Sequence, residues 1–574
     1  MQTRNPYLIH KVFKSYLIAS ILATVATTLG LVVDGIIVSH LMGPLGLSAV
    51  NLASPLSQFY VTFHLLVNTG TAMLTATAIG KGDIRQAERY FSFAITCDLV
   101  LGVLFSLAGI FFLDEVTAAL CTNAELYPMV RDYVQVMLLT APVYLLLPGL
   151  GVFVRTDGSP RLTSIALIIA NVVNLGLDII LIKYCHWGIA GSSIATAIGF
   201  LTGILIALTH FRKERHMLRY VFTFKGISVS EAIVMGLPMA LGSVFMTVRL
   251  LCINHIVLFY LGAMAVSILA ICFNLLRLVN MFISGTVQTL QPVGSLLIGL
   301  EDYQGVRIAV NKALRVLLQV LSVVCLIILI VPGPIAYLFG LEDPSIIEEA
   351  KKAIRVVSVS FLLFGITYLL MAVYQLTKRH KLAIFISTIQ SLAIIPFMYV
   401  FARVAPGLVW ESFLAGEVAV FLIVVAITCF IRKKDKSVAP LTLLPESRQA
   451  RLLDFSISRD KDDFEELLSS VEAFLKQNKI DSPVANKVKL CSEELVLNVI
   501  QHGYSDKKKH YIDIRIHIRE KQINICITDD GIPFNPIRYD KQEGLGLLIV
   551  KGICRDLEYK YLFNQNRVFA KIPY

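Results

Sequence analysis

Charge is what this sequence has least of. Asp, Glu, Lys and Arg make up 16% of its 574 residues while apolar types make up 56%, which excludes an ordinary large soluble protein and points to many membrane-crossing segments. Its ten cysteines contain no CxxC pair and no metal-like spacing. Neither a disulfide framework nor a zinc site is therefore expected, and the cysteines read as small, reduced, apolar residues. No P-loop occurs, which argues against transport powered directly by ATP. The first apolar run follows the basic stretch KVFKS without a small-residue cleavage site, so it reads as an uncleaved span. The formal charge of +11 does not imply nucleic acid, because Lys and Arg recur between apolar runs, as topology signals do.

The apolar residues are unevenly spread. A spanning helix needs roughly 20 predominantly apolar residues, and twelve such runs precede Arg432, centred near Val25, Leu65, Val103, Leu145, Ile169, Gly199, Phe245, Ile283, Val323, Leu362, Pro396 and Val420. Basic residues cluster in alternate loops, at His10 to Lys14, Lys81 to Arg89 and Arg212 to Lys225 among others, which predicts that both termini face the cytoplasm. Internal repetition is also visible. GPLGLSAVNLASPL at Gly43 resembles GAMAVSILAICFNL at Gly262, and KGDIRQAERYFSFAI at Lys81 answers LEDYQGVRIAVNKAL at Leu300. Two six-helix halves in one membrane orientation are expected, over residues 1–220 and 221–432, with substrate entering between them. A basic linker (433–451) then leads to a soluble domain (452–574) of ordinary composition.

Within the first half, SIALIIANVVNLGLDIILI (Ser164 to Ile182) sets Asn171, Asn174 and Asp178 at i, i+3 and i+7 in an apolar run. A helix would place them on one face. A charged carboxylate at helix centre costs on the order of 2.5 to 3.5 kcal/mol in a bilayer, so such a group normally faces a wet cavity. That reads as an ion or proton site. Arg249, His255, Arg277, Asp98 and Glu417 also interrupt apolar runs, and helix-facing pairs or snorkelled side chains account for them.

VDGIIVSHLMG, RTDGSPRLTSIALIIANVVNLGLDIILI and GIAGSSIATAIG, in that order and spacing, resemble the multidrug and toxic compound extrusion (MATE) transporters over about the first 430 residues. The resemblance implies an α-helical polytopic fold of twelve transmembrane helices in two repeats. It also implies an ion site made of Asp34, Asn174, Asp178 and Thr196. The second half has no acidic residue at its seventh or eighth span, where some family members use one. Two carboxylates facing one cavity have coupled proton occupancy, and Asn174 and Thr196 add neutral oxygens suited to a hard cation such as Na+.

The soluble tail carries an independent pattern. In DSPVANKVKLCSEELVLNVIQHGY, Ser482 reads as the N-cap of a helix, Pro483 as its first residue and Gly503 as its C-terminal cap. Glu494, Asn498 and His502 recur every four residues, on one face. HYIDIRIHI and QINICITD alternate as antiparallel strands, GLGLLIV opens another helix, and LEYKYLF with RVFAKIP reads as a hairpin. The order predicts a small α+β two-layer sandwich. An Asn able to ligate Mg2+, facing glycine-rich turns that admit phosphate, suggests a nucleotide site. ExxxN, DxGxxF and GLGL together resemble the GHKL ATP-binding superfamily, and within it the anti-sigma-factor serine kinases. That resemblance implies ATP and Mg2+ as cofactors, Asn498 as Mg2+ ligand, Glu494 as general base, Asp529 as the adenine reader and Gly531, Gly544 and Gly546 as phosphate-loop glycines. An anti-sigma-antagonist-like protein partner follows from the same resemblance. No upstream helix with a phospho-acceptor His is evident, which argues against a sensor histidine kinase.

The expectation is an antiporter of the bacterial inner membrane, coupled to Na+ or H+ and exporting drug-like, cationic compounds, with a regulatory ATP-binding domain. Kinase or ATPase activity in that domain stays open. The alternative is a membrane-anchored signalling protein whose transporter half senses a ligand and controls the kinase domain.

Overall fold

The computed structural model describes the chain except for residues 1–3, 214–215, 224, 340–342, 447–450, 459–460, 507 and 538–544. The chain divides into two compact units, Ser15–Glu446 and a second made of Met1–Lys14 with Ser447–Tyr574.

Helices account for nearly all of the larger unit. They run α1 (Tyr7–His64, its first two turns in the smaller unit), α2 (Gly70–Lys81), α3 (Ile84–Phe111), α4 (Leu113–Leu120), α5 (Tyr127–Leu139), α6 (Ala141–Thr156), α7 (Pro160–Asp178) and α8 (Gly188–Leu208). The second half continues with α9 (Val229–Leu261), α10 (Ala263–Gly299), α11 (Tyr303–Ile330), α12 (Pro332–Leu338), α13 (Pro344–Leu376), α14 (His380–Leu392), α15 (Ile394–Val404) and α16 (Glu411–Lys434).

Among the described residues ten helical stretches are long and apolar enough to cross a bilayer, and α5 with α6, bent by 54°, makes eleven as one broken span. Every one of the twelve expected centres lies in a helix. The stretch around Leu65 differs in composition: residues 44–81 are helical, but Gln58, His64, Asn68, Thr69 and Thr71 dilute its apolar content, and a π turn interrupts it at Leu65–Thr69.

The repeat is visible in the backbone itself. Gly43 and Gly262 both hold positive φ, +73° and +87°, and each breaks a helix, a conformation that favours glycine because it carries no Cβ. Forty positions on in each half, Asp83 caps α3 by accepting from the Gln86 amide at 3.0 Å, and Asp302 caps α11 by accepting from the Gly305 amide at 2.8 Å. Both pairs are 219 positions apart (43 to 262, 83 to 302).

The smaller unit contains β1 (Leu452–Ile457), α17 (Lys461–Gln477), α18 (Ser482–His502), β2 (Ile512–Ile518), β3 (Gln522–Asp529), α19 (Leu545–Ile553), β4 (Asp556–Leu562) and β5 (Gln565–Pro573). The strands form one antiparallel sheet in the order β1-β2-β3-β5-β4. Alternation decides which face is covered. Ile512, Ile514 and Ile516 on β2, Ile523, Ile525 and Ile527 on β3, and Ala570 and Ile572 on β5 are buried in one core with Leu467 and Val471 of α17 and Val488, Cys491, Leu495 and Val496 of α18. Each such aliphatic side chain contributes roughly 1.5 to 3 kcal/mol. The helix begins at the expected Ser482, but Asp481 occupies the N-cap position and Pro483 lies in the first turn.

Candidate ion and nucleotide sites

Two glycines determine how closely α7 approaches its neighbours. A Cβ on Gly199 of α8 would stand 2.5 Å from the Ala170 carbonyl oxygen and 3.0 Å from Asn174 Cβ, and one on Gly30 of α1 would stand 2.3 Å from Asn171 Oδ1. Thr196 lies three residues before Gly199, and Asp34 lies one turn beyond Gly30, so both side chains are carried to the Asn174 face.

Asn174 Nδ2 donates to Thr196 Oγ1 at 3.1 Å and to Asp178 Oδ2 at 3.3 Å, and Thr196 Oγ1 donates to the Ser192 carbonyl at 3.1 Å. Asp34 lies beside Asp178 and Asn174. Asp178 and Asn174 are buried and Asp34 is half-buried. The structure thus brings together the four residues singled out from the sequence. It also leaves Asp34 Oδ1, Asp178 Oδ1 and the Ser192 and Ser193 hydroxyls buried without a hydrogen-bond partner. Unpaired buried oxygens of this kind are costly. Two adjacent carboxylates stay ionised together only with a cation between them, and otherwise share a proton that neutralises one of them. Immediately after Asp178 the helix widens into a π segment, Ile179–Tyr184, a local irregularity frequent at functional sites.

In the smaller unit, Glu494 and Asn498 lie one turn apart on α18, and His502, the last residue of the helix, is exposed. A Cβ on Gly546, in the first turn of α19, would come within 1.8 Å of Glu494 Oε2. Glycine at that position is what lets the helix start meet the carboxylate. Gly544 lies outside the described residues. At the end of β3, Asp529 is buried, and its Oδ1 accepts from the Gly531 amide and from Asn566 Nδ2, both at 2.8 Å. Burial pushes the Asp529 carboxyl up to about 6, against the opposing pull of the Asn566 and Gly531 donors. Gly531 has a packing reason: a Cβ there would sit 2.3 Å from the Gly503 carbonyl, which accepts from the Ile532 amide at 2.7 Å. This contact ties the turn after β3 to the end of α18, so the Asp529 turn and the Glu494 helix are positioned together. Gly503 itself is right-handed, with φ of −75°, so its value lies in this close packing rather than in left-handed freedom.

Several contributors carry no sequence signal. Asn566, which clamps Asp529, lies in a hairpin that reads only as strand, but the register places it opposite Asp529. More surprising is the N-terminal segment, which belongs to the smaller unit. Arg4 is buried and bonds Asp513 Oδ2 through Nε at 3.0 Å and Nη2 at 2.9 Å, and its Nη1 lies 3.4 Å from Asp454 Oδ2. The Asn5 amide donates to Ser456 Oγ at 2.8 Å, and Gln565 Nε2 donates to the Leu8 carbonyl at 3.0 Å. A lone Arg ahead of an apolar run reads in sequence as a topology charge, which hides this role.

Twofold helical repeats with a pair of adjacent carboxylates in the first of them fit a secondary-transporter architecture. A MatE family profile matches the chain twice, over residues 19–180 and 238–400, and the chain belongs to that family. A histidine kinase-like ATPase domain matches residues 457–570. Curated relatives include the multidrug export protein MepA of Staphylococcus haemolyticus, 26% identical over 387 residues, covering 66% of this chain and 84% of the relative. MepA of Staphylococcus aureus is 26% identical over 415 residues, covering 70% and 91%. Among solved structures, a MATE protein in complex with MaL6 superposes with a TM-score of 0.67 at 21% identity, over 72% of this chain and 94% of that one. A MOP superfamily transporter from Pyrococcus furiosus gives 0.67 at 21% identity, over 74% and 96%. At that identity the structural likeness speaks to the fold.

Proposed function

We propose that the chain exports drug-like organic cations by exchange for Na+ or H+ at the Asp34, Asn174, Asp178 and Thr196 cluster. The observation that carries this reading is the pair of neighbouring carboxylates with free buried oxygens and neutral donors around them. A small cation or a proton settled there removes a charge conflict. An exported organic cation would compete for the same negative field, and competition between two cations for one field is what produces exchange. The drug class is drawn from the MepA relatives, which are multidrug export proteins.

The ATPase-like unit is proposed to bind ATP with Mg2+ and to modulate transport. Its donor set fits such a nucleotide. Asn498 supplies a neutral oxygen of the kind Mg2+ takes alongside phosphates and water. Glycine at the start of α19 allows close approach of phosphate to backbone N–H groups, Asp529 offers an acceptor for an adenine amino group, and Glu494 is the proposed general base. Regulation is supported by the N-terminal segment, where Lys11 pairs with Asp530, the neighbour of Asp529, at 2.5 Å. The clustering of basic residues in alternate loops supports a cytoplasmic location for both termini, where ATP is found. Reconstituted vesicles with an imposed Na+ or proton gradient, with and without ATP, test the reading. Efflux that follows the gradient without ATP supports it, and efflux that follows ATP alone overturns it.

A further inference from the structure

A second buried carboxylate stands on α3. Asp98 has no exposed surface, and its Oδ1 accepts from Asn68 Nδ2 at 2.9 Å. The same Asn68 nitrogen lies 3.3 Å from His64 Nδ1. That leaves two fully buried acceptors on one pair of side chains, Asp98 Oδ2 and Asn68 Oδ1, with no partner. Among the described residues no Lys or Arg forms an ion pair with Asp98. Arg155, the basic residue facing His64, donates instead to Gln288 Oε1 at 2.8 Å. The remaining titratable neighbour is Cys97 on the same helix.

An ionised carboxylate held this way, dry and with one hydrogen bond, is a poor arrangement. A single proton resolves it. Placed on Asp98 Oδ2, it turns an acceptor into a donor, and the free oxygen of the neighbouring Asn68 amide is the group in need of one. The space before these oxygens is kept by backbone. A Cβ on Gly149 of α6 would stand 2.2 Å from Asp98 Oδ2 and 3.3 Å from Asn68 Oδ1, so any larger residue would fill the approach. The local helix geometry points the same way. Asn68 lies in one of the two π segments among the described residues, and the other begins directly after Asp178.

We infer that Asp98 and Asn68 form a second proton-exchange site in the first half, separate in its residues from the Asp34 and Asp178 cluster. It loads and releases one proton during the transport cycle. On release the O–H bond at Asp98 Oδ2 breaks with both electrons staying on the carboxylate, and the proton leaves to water. Reloading is the reverse. Asn68 Nδ2, held between Asp98 Oδ1 and His64 Nδ1, supplies the polar contact that lets the ionised form exist transiently. The inference rests on the antiport reading for its place in transport, but not for the existence of the site.

The test uses the full chain reconstituted in lipid, with infrared difference spectra recorded between acid and alkaline pH. In wild type, one carboxylic acid C=O band is expected to vanish as pH rises. Asp98→Asn, an uncharged near-isostere of the protonated acid, should lack that band. Asn68→Asp, which sets a second carboxyl against Asp98, should shift its titration and guards against misfolding of the first variant. In the same vesicles Asp98→Asn should lower proton-gradient-driven efflux by about 5- to 150-fold, the usual range for coupling between two bound ligands. A carboxyl band that persists unchanged at every pH, or wild-type efflux by Asp98→Asn, would overturn the inference. Absence of gradient-driven efflux in wild type would remove the antiport reading, and the infrared arm still decides the Asp98 site.

Discussion

Lys11 Nζ lies 2.5 Å from Asp530 Oδ2, within a unit assembled from both ends of the chain. Lys11 is half exposed while Asp530 is buried and also pairs with His510 Nδ1 at 3.0 Å, whereas Arg4 is buried together with both of its partners, Asp513 and Asp454. The two pairs therefore differ in energetic weight. Exposed pairs contribute about 0 to 1 kcal/mol, while removing one member of a buried pair typically costs about 3 to 5 kcal/mol, because the other charge is left unpaired.

Arg4→Ala should accordingly destabilise the smaller unit by about 3 to 5 kcal/mol, and Lys11→Ala should cost less, because the Lys11 charge is half in water and the buried Asp530 keeps His510 as a partner. Amide hydrogen exchange of β1 and β2 in the full-length protein checks both. Unchanged protection in Arg4→Ala would show that the N-terminal segment does not hold the sheet.

Asp178→Asn should abolish gradient-driven efflux while leaving insertion and folding intact, since Asn174 can still bond an amide oxygen at that position. Asp34→Asn should behave nearly the same. Efflux assays in vesicles containing equal amounts of each variant make the comparison, and wild-type rates in Asp178→Asn would remove the ion site from this cluster.

ATP binding should depend on pH through Asp529. Its ionised form is the acceptor for an amino group, so binding is present above about 6 and should weaken as pH falls below that value, approaching about tenfold per pH unit. The stability effect has the opposite sign. A carboxyl raised from 3.8 to about 6 in the folded state contributes stability that is complete below the unfolded value and lost as pH rises through the folded one. Calorimetry on the full chain at a series of pH values, with Mg2+ present, reads the first effect. Asn498→Ala should remove the Mg2+ dependence and most of the affinity.

Much of this arrangement is legible in the sequence because it rests on local periodicity. Asn174 and Asp178 share a helix face by spacing alone, and the matching breaks at Gly43 and Gly262 follow from repeated motifs. What escapes is whatever depends on packing between distant segments. Asp98 interrupts an apolar run much as a snorkelling residue would, and only the fold shows it fully buried against Asn68. Arg249 and Glu417, each expected as a helix-facing or a snorkelled side chain with no partner named, are both buried and act on one another. The pairing of Arg4 with Asp513 joins residues about five hundred positions apart, a contact no local pattern encodes. β1 is short, and its partner strand begins some sixty residues later, so patterning alone does not mark it as part of the sheet.

An ion gradient is proposed to power export, with nucleotide only modulating it. Efflux from proteoliposomes, with ATP supplied on either side, should be compared for wild type and Glu494→Ala under an imposed Na+ or proton gradient and with none. Loss of a general base typically costs about 100- to 10,000-fold in the chemical step, so the variant should lose any phosphoryl transfer and keep gradient-driven efflux. Efflux that needs no gradient, requires ATP and vanishes in Glu494→Ala would contradict the account.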